Sequence, residues 1–245
     1  MSELIPRERR ILAPGAVHVP GWLTLGQQCE LVTACRGWAC DGPGIRAAAL
    51  PRGARMTVQT VCLGWHWYPY RYSRTRDDQD GSPVARFPDW LGDLGRRAVA
   101  DAYLDPGRAR DYVPDVALIN YYEPDARLGL HRDSDEKTLE PVVSLSLGAA
   151  CVFRLGNTEN RGRPWTDVAL HSGDLLVFGD DSRLAYHGVP KLLPGIEVPD
   201  IGLPRGRLNL TLRVSGLSDS EPAPTETTSA EPADPPATIN EFPWP

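Results

Sequence analysis

The sequence is poor in lysine, in paired cysteines and in long apolar runs, and each shortage closes off a class of protein. Lys137 and Lys191 are the only lysines beside 24 arginines. A GC-rich coding sequence accounts for that bias without special guanidinium chemistry. No apolar run approaches the ~20 residues that span a bilayer. Met1–Arg10 is charged and lacks the apolar stretch of a secretory leader. The five cysteines at 29, 35, 40, 62 and 151 form no C-x-x-C pair and are odd in number. They read as reduced thiols in a soluble cytoplasmic protein, with no disulfide frame and no membrane partner.

Charge of one sign is missing in two places. Arg46–Arg76 holds six arginines and no acid, whereas residues 217–245 hold six acids, seven prolines and no base. The whole chain carries a formal charge of -6, while residues 1–216 balance 26 bases against 26 acids. That balance excludes a uniformly basic nucleic-acid coat and leaves one locally basic segment on a neutral body. The tail has too few large apolar side chains to offset its ordering entropy, so it is expected to be disordered. The expected organisation is one domain over 1–216 followed by that tail.

Apolar residues make up 41% of the 245, enough to bury a core in the body. Thr24–Trp38 reads as a helix capped by Thr24, with Leu25, Cys29 and Val32 at helical spacing. Pro88–Tyr103 reads as a second, with Trp90, Leu91, Leu94, Ala98, Val99 and Ala102 as its apolar stripe. Strand pieces are expected at Met56–Leu63 and Tyr68–Ser73. After Pro114 come short alternating runs bounded by Gly, Asp and Pro. They are Val116–Tyr122, Leu128–Asp133, Val142–Gly148, Cys151–Leu155, Asp167–His171, Leu175–Phe178, Leu184–Val189 and Arg207–Ser215. About eight short strands without βαβ alternation indicate a sandwich, jelly roll or barrel.

Three constellations carry chemistry. In His131-Arg132-Asp133, an extended chain puts residues i and i+2 on one face, so an imidazole and a carboxylate can share a centre. His187 on a later strand can add a third ligand. Two histidines and one carboxylate leave open metal positions, the ligand set of non-haem Fe(II) oxygenases. Taken alone, the triplet reads more simply as a surface histidine beside a turn aspartate. In Arg207–Val214, leucines alternate with Arg207, Asn209, Thr211 and Arg213. That pattern fits an edge strand with a solvated face, or a concave face where two guanidiniums grip a dicarboxylate. Asn120 and Tyr122 share one face of the first strand after Pro114.

These pieces occur in order, and in that order the sequence resembles the AlkB family of Fe(II)/2-oxoglutarate-dependent dioxygenases, specifically its bacterial type. The resemblance runs from about Arg55 to Val214. It includes Leu63-Gly64-Trp65, Leu118–Tyr122, Leu130–Glu136, Val143–Gly148, Ser182–Gly188 and Arg207–Arg213.

It implies an α+β, mainly β fold: a double-stranded β-helix, or jelly roll, with supporting helices and an N-terminal nucleotide-recognition lid near 46–76, ahead of a core over 115–216. His131, Asp133 and His187 would hold Fe(II). Asn120, Tyr121, Tyr122, Arg207, Asn209, Thr211 and Arg213 would line the 2-oxoglutarate site, and O₂ would take the remaining metal position. Trp65 would stack on the target base opposite His131. Tyr70, Arg71 and Tyr72 would touch the nucleotide, Asp135 would stand at the base edge, and Arg161 would be a basic residue beside the substrate.

The implied reaction demethylates 1-methyladenine and 3-methylcytosine in DNA, releasing formaldehyde, succinate and CO₂. The implied partner is single-stranded DNA or a base flipped from a duplex, with RNA as the alternative and a non-catalytic nucleic-acid-binding jelly roll as a further one. The protein is expected to act as a monomer. Trp67 and His66 read as lid core and solvent-facing residues, and His171 as a turn residue at the surface.

Overall fold

A computed structural model of the protein describes residues 7–42, 44–49, 55–69 and 71–218. Tyr70 and the tail from 219 onward lie outside the described residues. The chain opens with β1 (Arg10–Ala13) and β2 (Ala16–Val19), then α1 (Leu25–Cys40), β3 (Arg46–Ala49) and β4 (Arg55–Leu63). A small hairpin follows, β5 (His66–Tyr68) and β6 (Arg71–Ser73), then α2 (Asp89–Tyr103) and the single turn α3 (Pro106–Ala109). Eight strands complete the fold: β7 (Val116–Tyr122), β8 (Leu128–His131), β9 (Val142–Gly148), β10 (Cys151–Leu155), β11 (Thr166–Leu170), β12 (Leu175–Phe178), β13 (His187–Leu192) and β14 (Arg207–Arg213).

These eight form a jelly roll. β12-β9-β14-β7 lie in the centre of an eight-stranded sheet, flanked by β2 and β1 on one side and β4 and β3 on the other. β11-β10-β13-β8 make the second sheet. Alternation decides what each face meets. Leu208, Leu210 and Leu212 of β14 join Ile119, Leu145 and Leu147 against Leu31, Leu91, Ala98 and Val99 of the helices. The opposite face looks into the sandwich, where Tyr122, Phe153, Leu155, Leu176, Phe178 and Val189 pack. All seven residues of β14 are buried because β7 and β9 flank it on both sides. Its polar side chains therefore line the interior, and no solvated edge exists there.

Local chemistry explains the boundaries. Thr24 caps α1 through a reciprocal pair: Gln27 N–H donates to Thr24 Oγ1, and Thr24 N–H donates to Gln27 Oε1. Leu104 ends α2 in the left-handed region at φ 55°. The expected strand Tyr68–Ser73 is two strands, β5 and β6, joined across Pro69 and position 70. The segment expected at Leu184–Val189 begins instead at His187 and runs past Pro190. A bulge opposite Phe153 accommodates this proline, which has no N–H to give a ladder. The first hairpin, β1–β2, and the edge strand β3 were not anticipated. The Pro14-Gly15 pair at the hairpin's turn is the local signal for the former.

Two features pin the elements together. Gly64 sits at φ +78° between β4 and β5, where an added Cβ would stand 1.9 Å from Asp115 O. Asp174, fully buried ahead of β12, accepts from Arg7, from the N–H groups of Gly21 and His171, and lies 2.9 Å from His18 Nε2. Burial alone would raise its pKa. The His18 and Arg7 contacts, with the two backbone donors, hold it at about 2.

Two outcomes follow. Gly64→Ala should cost about 2 kcal/mol or more, from left-handed strain plus the clash, read as a lowered urea midpoint. The folded pKa of Asp174 lies below its ordinary 3.8, so its contribution is complete above that value. It is lost as pH falls toward about 2, an effect of order 2 kcal/mol. Urea unfolding across that range should show this acid loss, and Asp174→Asn should be weaker at neutral pH and lack that part of the decline.

Candidate metal and cosubstrate site

β8 ends and β13 begins at one place, with His131 and His187 as register partners and their ring centroids 4.4 Å apart. Asp133 lies two residues beyond His131, past the end of the strand. The expected strand to Asp133 stops at His131 because the chain turns to follow Arg183. That buried guanidinium donates from Nη1 to Asp133 O at 2.7 Å and from Nε to Glu140 O at 2.7 Å. Asp133 Oδ1 stands 3.6 Å from His131 Nε2, and Oδ2 stands 3.6 Å from His187 Nε2. All three ligand atoms lie within 4.8 Å of one another.

Each imidazole is oriented locally. His131 Nδ1 lies 3.0 Å from Gly129 O, and His187 Nδ1 lies 3.0 Å from Ala185 O. A carbonyl on Nδ1 demands a proton there, which leaves Nε2 as the lone pair facing the centre. Burial, then the neighbouring His131, pushes the His187 pKa down to about 4, so it stands neutral. Burial opposes ionisation of Asp133, but Arg213, His187 and His131 outweigh it and hold the carboxyl well below its usual range. A neutral imidazole and a carboxylate are the states in which these groups bind a metal. Phe153 and Phe178 pack their rings against His187 at centroid distances of 5.8 and 4.8 Å, forming an apolar wall.

Beside the triad, a cleft is lined by Asn120, Tyr122, Asn209, Thr211, Arg207 and Arg213. The register of three strands aligns these groups: Asn209 pairs with Asn120 on one side and Ser146 on the other, and Arg207 pairs with Tyr122. The amide of Asn209 donates to Ser144 Oγ at 2.8 Å, and Thr60 Oγ1 donates to Asn120 Oδ1 at 2.7 Å. Arg207 is 1% exposed and donates from Nη2 to Ser146 Oγ at 2.9 Å, while its Nε and Nη1 have no partner among the described residues. A buried cation with two open donors is costly, and a carboxylate would satisfy both. These residues fit a dicarboxylate, and the triad fits one iron.

Arg213 also lines the cleft, with its Nε open among the described residues and its two terminal nitrogens already engaged. Its Nη2 lies 2.7 Å from Asp133 Oδ2, and its Nη1 donates to Glu136 Oε1 at 3.0 Å and to Tyr72 Oη at 3.1 Å. Arg183 Nη2 donates to the other oxygen of Glu136 at 2.9 Å. Glu136 and Arg183 had no assigned role in the sequence; their buried cross-links to the triad show one. Ser144 and Ser146 were also missed, although alternation in Val142–Gly148 puts both on the Asn209 side. Tyr121 is corrected: it faces away from Asn120 and Tyr122, into the core under the helices.

The residues expected to meet a base are distributed differently. Trp65 is 5% exposed within a cluster of Cys62, Val116 and Leu118. Its Nε1 donates to Asp115 Oδ2, and the Arg74 guanidinium lies 3.7 Å from the indole centroid. The ring is thus covered and is not presented for stacking. Trp67, read earlier as lid core, is the indole at Asp135: its Nε1 donates to Asp135 Oδ2 at 2.8 Å. Tyr72 turns inward, donating to Glu136 Oε1 at 2.5 Å. Arg71 is exposed on β6 near Tyr68, and Arg161 lies on the exposed loop after β10. His66, expected toward solvent, is buried, with Nε2 2.5 Å from Asp78 Oδ1.

The profile of the 2OG-Fe(II) oxygenase superfamily matches residues 15–213. The jelly roll, the His-Asp-His triad and the basic cleft are the fold and site of that class. Among relatives, the alpha-ketoglutarate-dependent dioxygenase AlkB of Escherichia coli (strain K12) is 38% identical over 196 residues, covering 78% of this chain and 86% of that protein. The DNA N(6)-methyladenine demethylase ALKBH1D of Arabidopsis thaliana is 30% identical over 228 residues, 85% of this chain and 51% of that protein. This chain thus spans about half the length of the plant relative. The solved structure of OsALKBH1 superposes with a TM-score of 0.72 at 31% identity, over 84% of this chain and 100% of that one. The chain belongs to the AlkB family, whose cofactors are Fe(II), 2-oxoglutarate and O₂. No helix of the described residues is long and apolar enough to cross a membrane.

Arg207→Gln should raise the Kd for 2-oxoglutarate about 100-fold or more while leaving the fold intact, because a buried ion pair lost from one side costs about 3 kcal/mol. Titration calorimetry on the metal-loaded protein measures this directly. Unchanged affinity would move the cosubstrate away from β14.

Proposed function

We propose that the protein is an oxidative demethylase of N-alkylated bases, acting on 1-methyladenine and 3-methylcytosine in DNA. The observation that carries the reading is the pairing of Asp135 with the Trp67 indole, two residues from the ligand Asp133. A carboxylate beside aromatic surface favours a flat, positively charged ring, and both of these methylated bases carry positive charge. The bacterial relative named a dioxygenase supports the chemistry, and the plant relative named a DNA demethylase supports the class of polymer.

In this reading His131, Asp133 and His187 hold Fe(II), and Arg207, with Asn120, Tyr122, Asn209 and Thr211 around it, takes the cosubstrate. Bound there, the iron and cosubstrate would supply the oxidising power, with succinate and CO₂ formed from 2-oxoglutarate and one oxygen atom of O₂ inserted into the N-methyl C–H bond. The N-hydroxymethyl group would then lose its hydroxyl proton to solvent and break its C–N bond to release formaldehyde, the bonding pair returning to the ring nitrogen as its lone pair. Arg183 and Glu136 keep the Asp133 loop in place. Phe153 and Phe178 exclude water from the His187 side. The hairpin β5–β6 with its flanks serves as the substrate lid. The rest of the stretch 46–76 extends the large sheet through β3 and β4. Residues 1–216 act as one catalytic domain, as a monomer, on single-stranded DNA or a flipped base.

The plant relative's name favours a second substrate, N6-methyladenine, which is neutral. Formaldehyde release should be measured from matched oligonucleotides carrying 3-methylcytosine, 1-methyladenine or N6-methyladenine, in DNA and in RNA. The proposal expects the cationic lesions in DNA to react fastest. It also expects Asp135→Asn to slow them about tenfold or more while sparing N6-methyladenine. Preference for the neutral base, or equal loss on all three, would sink the charge-recognition reading. Succinate formed without any demethylation would point to another substrate.

A further inference from the structure

On the side of the large sheet opposite the cleft, α1 and α2 leave a groove of about 310 Å³ between them, a volume in the range of ligand-binding clefts. Leu23, Leu31, Leu94 and Trp90 line it with apolar surface. Trp90 is 47% exposed, and one face of its indole stacks on Trp38 at a centroid distance of 5.9 Å and an interplanar angle of 15°. That stacking fixes the ring, so a partner meeting its open side has little rotamer freedom to remove.

The polar groups at the groove include one uncompensated cation. Arg97 is exposed and lies 4.7 Å from the Trp22 ring centroid, with no carboxylate partner among the described residues. Its neighbours on the same stretch are paired, Arg86 with Asp89 and Arg96 with Asp93. Glu30 also lines the groove and is exposed, an acceptor suited to an indole N–H.

The sequence beyond Ser218 carries matching chemistry. Residues 219–238 include no aliphatic or aromatic side chain beyond alanine and proline. Ile239, Phe242 and Trp244 then follow close together, with Glu241 beside Phe242. The tail starts near the groove. Leu217 packs on the cluster of Cys62, Trp65, Val116 and Leu118, as does Val84, six residues before Trp90. A tether of about 20 residues reaches ~65 Å when extended and ~25 Å as a random coil, enough to cross a domain of this size.

We propose that this groove is the docking site of the chain's own segment Ile239–Trp244. Phe242 and Trp244 fill the apolar surface beside Trp90, Glu241 meets Arg97, and residues 219–238 serve as the tether. Phe242 and Trp244 each precede a proline, which disfavours a helix and favours extended chain. Aromatic-lined grooves take proline-rich segments in that form. The tether supplies an effective concentration of order millimolar, so even a weak contact is occupied within one chain.

The test uses the full chain with a benzophenone amino acid in place of Phe242, which keeps an aromatic ring there. After irradiation, cross-linked peptides are mapped by mass spectrometry over a range of protein concentrations. The expected result is cross-links within one chain to 23–31 and 90–97, at a yield independent of concentration. Trp90→Ala should cut that yield about fivefold or more. Arg97→Glu, an exposed change that spares the fold, should cut it about threefold, and adding Glu241→Arg should restore it. Circular dichroism melting checks that each variant is folded; should Trp90→Ala not fold, the charge swap decides alone. Cross-links scattered over the surface, or confined to the β5–β6 hairpin, would overturn the proposal. So would a yield indifferent to both groove variants. Cross-links between chains that rise with concentration would assign the groove to a second copy and overturn docking within one chain.

Discussion

Four charged side chains share the inside of this sandwich, and the site depends on their mutual compensation. Asp133 and Glu136 face Arg213 and Arg183, with none of the four more than 7% exposed at its side chain. Removing charge from water is expensive unless every partner is in place. Arg213 bridges the two acids, and Arg183 binds Glu136 with one nitrogen and the backbone of Asp133 with another. The carboxylate that would meet the metal therefore does not stand alone on a loop. It is one corner of a rigid, nearly neutral cluster, which fixes its position before any ligand arrives.

Much of the molecule could be read from residue order. The alternation in Arg207–Arg213 placed four polar groups on one face, and β14 puts that face inside. The short strands with Gly, Asp and Pro between them narrowed the fold to a sandwich, jelly roll or barrel, and seven of the eight were located within two residues of their observed ends. What alternation does not reveal is neighbourhood. Whether a polar strand face is solvated or buried depends on its flanking strands, and those are set by long-range pairing. The same limit separates the two arginines. Both matched a ligand-binding pattern, but only the surrounding acids reveal that Arg213 has both terminal nitrogens engaged and only Nε open among the described residues, while Arg207 is open at Nε and Nη1.

The aromatic residues near the cleft show the complementary failure. Motif position selected Trp65, yet packing buries it under Arg74 and leaves Trp67 to meet Asp135. Two indoles separated by one residue cannot be ranked by spacing alone. The β5–β6 hairpin decides which of them turns inward, and Gly64 decides the angle at which the hairpin leaves the sheet. Phe153 and Phe178 were invisible as site residues for a simpler reason. In sequence they are ordinary strand hydrophobics, and only the crossing of β10 and β12 near His187 gives them their place.

The position of β14 has a consequence for how the molecule comes into being. It is the last strand of the sheet in chain order, yet it lies between β9 and β7 at the sheet's centre. A ribosome making this chain releases β7 and β9 long before the strand that must separate them. During that interval two strands with half-apolar faces wait with unpaired edges, exposed to premature pairing with each other or with another chain.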